Sequence, residues 1–178
     1  MKLVPEAESE FRRQDYGRRP PIDGVAVVPL RRQNDDAGAM TELARLTRGS
    51  PAGFEGFEIA QINYSVLEPR VLKAFHVHAR QTDLWFVPPE DRVLLVLVDV
   101  RDGSPTARHV MRMTLGDGTS ALVRIPPGVA HGCKNLGDRT ARVVYLTDVP
   151  VSPDPQTTDE GRLPWDLVGA AIWEPAKD

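Results

Sequence analysis

The chain has 178 residues, enough for one domain with a sizeable core. Hydrophobic residues make up 41% and charged residues 26%, a globular balance that excludes a disordered chain. The formal net charge of -3 gives no basis for a nucleic-acid surface. A single cysteine, Cys133, excludes an intrachain disulfide and suits a reducing compartment. No apolar run approaches the ~20 residues of a membrane span. The N-terminus has no apolar h-region, so the expected location is the cytoplasm.

In chain order, residues 1–21 are polar, end in Pro20-Pro21, and read as a flexible N-terminal arm, either frayed or exchanged within a dimer. Residues 22–178 form one domain. Gly24–Leu30 is a short β-rich run, and Asn34–Gly38 carries turn chemistry. Met40–Gly49 reads as a short helix or an extended segment, closed by Gly49-Ser50-Pro51. Phe57–Val66 and Val71–Ala79 alternate. The second places Lys73, Phe75, Val77 and Ala79 on one face, with Ala74, His76 and His78 on the other. Asp83–Val87 is a strand ending at Pro88-Pro89. Arg92–Arg101 is apolar on both faces and therefore central. After a turn at Arg101–Thr106 come the strand His109–Leu115 and a hairpin signal at Gly116–Gly118. Ala121–Pro126 and Ala141–Asp148 complete the strands, with a Pro-Pro-Gly turn between them. The Pro-rich tail, 149–169, reads as coil with one short helix. Many short strands with Gly/Pro turns predict an all-β barrel or sandwich.

Two segments carry chemistry. The first runs from His76 through His78 to Asp83; the second is Pro126-Pro127-Gly128-Val129-Ala130-His131-Gly132-Cys133-Lys134-Asn135. They resemble the two cupin motifs, H-x-H followed by an acid and P-x-G-x-x-H-x-x-x-N. The second agrees at every fixed position; the first has Asp83 where Glu is usual. The resemblance implies an all-β, cupin-type double-stranded β-helix (jelly roll) barrel with short peripheral helices. An H-x-H pair puts two imidazoles on one strand face, about 6–7 Å apart at the backbone. With His131 and one carboxylate, they can surround a divalent Fe, Mn, Ni or Zn ion.

A narrower resemblance covers Ile22 to Trp173. DGVAVVPL, NDDAG with Glu42, QINYS (61–65), KAFHVH (73–78), VDVRDGSPT (98–106), IPPGVAHG (125–132), VVYLTD (143–148) and LPWD (163–166) follow the landmarks of the dTDP-4-dehydrorhamnose 3,5-epimerase family in order. That family implies a metal-independent isomerase acting beside the keto group of a 4-keto-6-deoxy nucleotide sugar, without a cofactor, as a homodimer. Carried over, His76 is the base and Tyr145 the acid. Lys73, His78, His131, Gln61 and Asn63 position the substrate. Imidazole has a suitable pKa for a base near neutrality, and a phenol can return the proton. Arg80, Arg124 and Lys134 are cations for a phosphate or ordinary surface charges.

Several family positions differ. The Arg of its D-E-R-G is Ala37, the Arg of its R-G-L-H is Lys73, its Gln after H-x is His78, and its Lys after Q-G falls near Asp83. Its late Asp, which orients the catalytic His, has no counterpart in the sequence. Two other readings therefore stand. One is a metal-dependent isomerase or dioxygenase with His76, His78, Asp83 and His131 as ligands, or Gln81 if Asp83 faces away. The other is a non-catalytic small-molecule-binding barrel. Trp85 and Phe86 are barrel core or a stacking platform, and Cys133 reads as core filler.

Overall fold

The computed structural model describes residues 2–13 and 21–175. Of the expected arm, residues 1 and 14–20 lie outside that range, so its exchange in a dimer rests on the sequence alone. Within the arm, helix α1 spans Pro5–Glu10. Proline in its first turn has the φ a helix needs, and Glu6 and Glu8 complement the N-terminal dipole. It buries no residue.

Fourteen strands follow among the described residues. Short β1 (Ala26–Pro29) precedes two small hairpins, β2 (Arg32–Asp35) with β3 (Gly38–Thr41), and β4 (Leu46–Thr47) with β5 (Ser50–Pro51). The 40–49 segment is therefore extended rather than helical. Then come β6 (Gln61–Leu67), β7 (Leu72–His78), β8 (Asp83–Phe86), β9 (Arg92–Asp99) and β10 (Val110–Gly116). The last four are β11 (Ala121–Ile125), β12 (Val129–Asn135), β13 (Ala141–Thr147) and β14 (Glu160–Arg162). A 3-10 turn, Ala170–Trp173, closes the described tail.

Ten of these strands form two five-stranded antiparallel sheets, β1-β11-β8-β13-β6 and β10-β9-β12-β7-β14. The interior draws on both: Trp85, Val123 and Val143 from the first meet Leu95, Leu97 and Cys133 from the second. Each sheet is also covered outside. Phe54 and Phe57 pack on Leu84, Phe86 and Leu122, while Trp173 packs with Phe75, Leu94, Val96 and Val98. This explains why β9 is apolar on both faces: Leu95 and Leu97 face in, Leu94 and Val96 face the tail. Burying each such side chain contributes about 1.5–3 kcal/mol.

Strand β7 does not keep strict alternation. His131 lies opposite His76, but Cys133 lies opposite Lys73, so two residues of β12 span three of β7. The extra residue is a β-bulge, and it flips the face for everything before it. Ala74, Phe75 and Val77 pack outward together, while Lys73, His76 and His78 line one cavity. The simple alternation, which put Lys73 with Phe75 and Ala74 with His76, is corrected by that bulge.

The V-D-x-R-x-x-S-P-T stretch is structural. The fully buried Asp99 carboxylate accepts from Arg101 Nε at 2.8 Å, Arg101 Nη2 at 2.9 Å, and the Ser104 and Thr106 hydroxyls at 2.6 Å each. Arg101 Nη2 also donates to the Asp23 carbonyl at 2.7 Å, tying the loop to the chain entering β1. The hydrogen bond from Arg101, then those from the two hydroxyls, hold the Asp99 pKa far below the usual carboxylate range. Its stabilisation is complete above the ordinary carboxylate pKa of about 4 and fades as pH falls toward the depressed folded value. Asp99→Ala strands a cation and two hydroxyls, so it is expected to lower stability by about 3 kcal/mol, read by urea unfolding at pH 7. A loss under 1 kcal/mol there would count against this role.

Candidate active site

Strand β7 presents His76 and His78, β12 presents His131, β8 presents Asp83 and Trp85, and β13 presents Tyr145. All line a single cavity of about 460 Å³ together with Lys73, Gln81, Glu160 and Arg162. Two distant motifs thus converge. The His76 and His131 ring centroids are 5.8 Å apart, and those of His78 and His131 are 5.4 Å apart. The second motif also supports the first, because Gly128 N–H donates to the His78 carbonyl at 2.7 Å. Gly132 has no room for a side chain: a Cβ there would collide with Ala74.

His76 is held from both sides by the tail. Its Nδ1 lies 3.0 Å from Glu160 Oε1, and Arg162 Nη1 donates to its Nε2 at 2.8 Å. A guanidinium cannot accept, so Nε2 is the unprotonated nitrogen and Nδ1–H donates to Glu160. The lone pair a base needs is therefore on Nε2. Burial first, then the neighbouring His131 and Arg162, push the His76 pKa down to about 4, against the pull of Glu160. The imidazole is a free base at neutral pH.

Glu160 and Arg162 arrive on β14, which pairs with β7 so that Glu160 stands opposite His78 and Arg162 opposite His76. Asp159 fastens this strand by accepting from the Arg80 and Gln81 backbone N–H groups at 2.9 and 2.8 Å. The tail was expected to be coil here. A three-residue Glu-Gly-Arg strand has no apolar alternation to reveal it, and only its pairing with β7 identifies its role.

On the same sheet wall, His131 is fully buried, with Nδ1 3.2 Å from the Val129 carbonyl and Nε2 3.5 Å from Asp83 Oδ2. Burial lowers its pKa against the pull of Asp83. Asp83 does not face away: it accepts from Gln81 Nε2 at 2.7 Å and from Trp85 Nε1 at 3.0 Å. Gln81 also lies 3.3 Å from His78 Nε2, and His78 Nδ1 is buried without a protein partner. Of the four candidate metal ligands, His78, Asp83 and His131 bring ligand atoms within 4.8 Å of one another; His76 is not in that cluster.

Tyr145 stands on the opposite sheet wall, its ring 6.0 Å from Trp85. Burial first, then the carboxylates of Asp83 and Glu160, raise its pKa, so it is a protonated phenol at neutral pH. An imidazole base and a phenol acid on facing walls of one cavity can remove a proton from one side of a bound molecule and supply one to the other.

Residues 19–166 match the family model for dTDP-4-dehydrorhamnose 3,5-epimerase. Over 145 residues the chain is 38% identical to the spore coat polysaccharide biosynthesis protein SpsL of Bacillus subtilis (strain 168), covering 82% of this chain and 91% of that protein. The chain belongs to the dTDP-4-dehydrorhamnose 3,5-epimerase family. It has that family's cupin-type fold and is an isomerase of the epimerase kind. Among solved structures, a dTDP sugar isomerase from Desulfovibrio desulfuricans G20 superposes with a TM-score of 0.71 at 30% identity, covering 83% of this chain and 88% of that one. A dTDP-4-dehydrorhamnose 3,5-epimerase from Bacillus anthracis str. Ames, with TDP and PPi bound, superposes with a TM-score of 0.69 at 26% identity over 86% and 87% of the two chains.

The carboxylate beside His76 Nδ1 is that of Glu160, in a tail where the sequence offered no late Asp. Other expected contacts fall elsewhere. Gln61 and Asn63 share the inward face of β6 with Ser65 but do not line the cavity; Gln61 Nε2 donates to Asn63 Oδ1 at 2.6 Å. Arg124 follows the alternation of β11 onto the outer face with Leu122, because Val123 and Ile125 take the interior, so the expected phosphate contact is corrected. Arg80 pairs with Asp159, and Lys134 Nζ donates to the Trp173 carbonyl at 3.0 Å and to Glu174 at 3.1 Å. Cys133 is buried core, its thiol pushed up to about 12 by that burial. Asn135 is a turn brace whose Nδ2 donates to the Arg139 carbonyl at 2.7 Å and whose Oδ1 accepts from Gly137 N–H at 2.8 Å.

Proposed function

We propose that the protein epimerises a 4-keto-6-deoxy nucleotide sugar by removing a proton beside the keto group with His76 and returning one with Tyr145. One observation carries this reading: His76, with its lone pair on Nε2, and Tyr145, a protonated phenol, project into one cavity from opposite sheets. Inversion at carbon needs that arrangement, since removal and delivery on one face only restores the starting centre. Lys73, His78 and His131 position the substrate, His78 through its unpartnered Nδ1. The bound TDP of the Bacillus anthracis relative supports a nucleotide sugar as the substrate class.

The reaction uses no cofactor in this reading. The Asp83 oxygens are turned to Gln81 and Trp85, which supports a hydrogen-bonded trio with His131 rather than an ion site. The domain comprises residues 22–178 with residues 1–21 as its arm, and the protein is a cytoplasmic homodimer. Edge strand β6, whose outward Ile62 and Tyr64 are 63% and 64% exposed, supports pairing of two copies, because an apolar sheet edge needs cover. No helix among the described residues is long and apolar enough to cross a membrane.

The test is incubation with dTDP-4-keto-6-deoxyglucose in deuterium oxide, followed by NMR. Deuterium enters at the carbons flanking the ketone, and it does so equally after exhaustive chelation. Absence of exchange with this and other 4-keto nucleotide sugars refutes the reading; exchange that vanishes on chelation returns His78, Asp83 and His131 to a metal role.

A further inference from the structure

Proton removal beside the ketone creates one charge that neither His76 nor Tyr145 meets. When His76 Nε2 takes the proton, the C–H electron pair becomes a C=C bond and the carbonyl π pair moves onto oxygen. That enolate oxygen carries a full negative charge, and it needs a donor aimed at it beforehand. Trp85 Nε1 is bound to Asp83, and His131 Nδ1 lies on the Val129 carbonyl. The cavity has two permanent candidates, Lys73 and Arg162.

We propose that Arg162 is a catalytic residue: it stabilises the enolate oxygen formed when His76 deprotonates the substrate, an inference that rests on the epimerase reading of the site. Its Nη1 already touches the reacting nitrogen, 2.8 Å from His76 Nε2, and its Nη2 is held by Glu160 Oε1 at 2.7 Å. The carbon to be deprotonated must come about 3–3.5 Å from Nε2. It therefore displaces the Nη1 contact, and the carbonyl oxygen, bonded to the adjacent carbon, arrives where that N–H was donating. Glu160 keeps hold of Nη2 while Nη1 changes partner. No proton leaves the guanidinium, which stays charged throughout. Tyr145 then gives its proton to the opposite face of the carbon, and solvent reprotonates the phenolate and takes the proton from His76.

One residue thus serves two purposes. Before substrate binds, its charge faces His76 together with His131, His78 and Glu160, and favours the neutral imidazole. During turnover it moves onto the oxygen. Glu160 is a positioning residue for both partners, because it holds His76 Nδ1 and Arg162 Nη2 with the same oxygen.

The experiment compares wild type, Arg162→Met, Arg162→Lys and His76→Asn in the full chain, following deuterium entry into dTDP-4-keto-6-deoxyglucose. Arg162 is 63% exposed, so Met is tolerated by the fold, and thermal melting verifies this. Arg162→Met is expected to lower kcat about 100-fold with KM changed less than about threefold. Arg162→Lys recovers part of the loss, and the acid limb of the Met variant moves upward from that of wild type. Added guanidinium ion partly rescues the Met variant. Wild-type kcat in Arg162→Met, or a rise in KM alone, overturns the assignment while leaving the epimerase reading intact if His76→Asn is dead. No exchange by the wild type removes both.

Discussion

His76→Asn is expected to reduce deuterium entry beside the keto group by about 10³-fold, the range for loss of a positioned general base. Asparagine is close in size and its amide can still donate to Glu160, so the fold and the tail strand survive; what disappears is the acceptor at Nε2. The side chain is 24% exposed, which also argues against collapse of the core. The wild-type pH profile gives an independent check on the same residue. A depressed pKa means that the base stays unprotonated until the solution becomes distinctly acidic. The kcat/KM for exchange is therefore expected to hold level from neutrality and to fall as pH drops through about 4, not through the ordinary imidazole value of about 6.5. A limb at 6.5 would mean that His76 is solvated, and undiminished exchange in the Asn variant would move the base to another residue.

The parts of this molecule legible in the sequence are those written in periodic apolar residues or in motifs. Strand β9 announces its central place because Leu94, Val96 and Val98 need cover as much as Val93, Leu95 and Leu97 do. The two histidine segments are legible as a pair that shares a cavity. Strand β12 is harder to read, because Gly132, Lys134 and Asn135 break its apolar alternation; its place between β9 and β7 is set by hydrogen bonds rather than by composition. The bulge in β7 is invisible to a period-two reading, since it depends on the partner strand offering one residue fewer. Least legible is β14. Glu160 and Arg162 are ordinary charged residues in a Pro-rich tail until β7 supplies an edge for them, and then, among the described residues, they are the groups that hold the His76 ring nitrogens. Side chains that acquire a role through long-range pairing leave no local signature, and here they surround the reacting atom.

Tyr145→Phe tests the opposite wall and separates two events that His76 variants abolish together. The ring keeps its place beside Trp85, so packing is retained, and only the hydroxyl is lost. His76 still removes the proton and can exchange it with solvent and return it to the same face. Deuterium entry is therefore expected to persist within about tenfold of wild type, with configuration retained, while the epimerised product falls about 10²–10³-fold. The wild-type phenol is suited to its task because burial and the carboxylates of Asp83 and Glu160 raise its pKa, keeping the proton on oxygen until the carbanion forms. NMR reads both quantities in one sample, as loss of the exchanging proton signal and as appearance of the inverted sugar. If exchange and inversion fall in equal proportion, Tyr145 acts in deprotonation or binding rather than as the acid, and the facing-wall geometry loses its mechanistic meaning. If neither falls, the proton is delivered by water, and the inverted product should then appear at a rate that is insensitive to any replacement on β13.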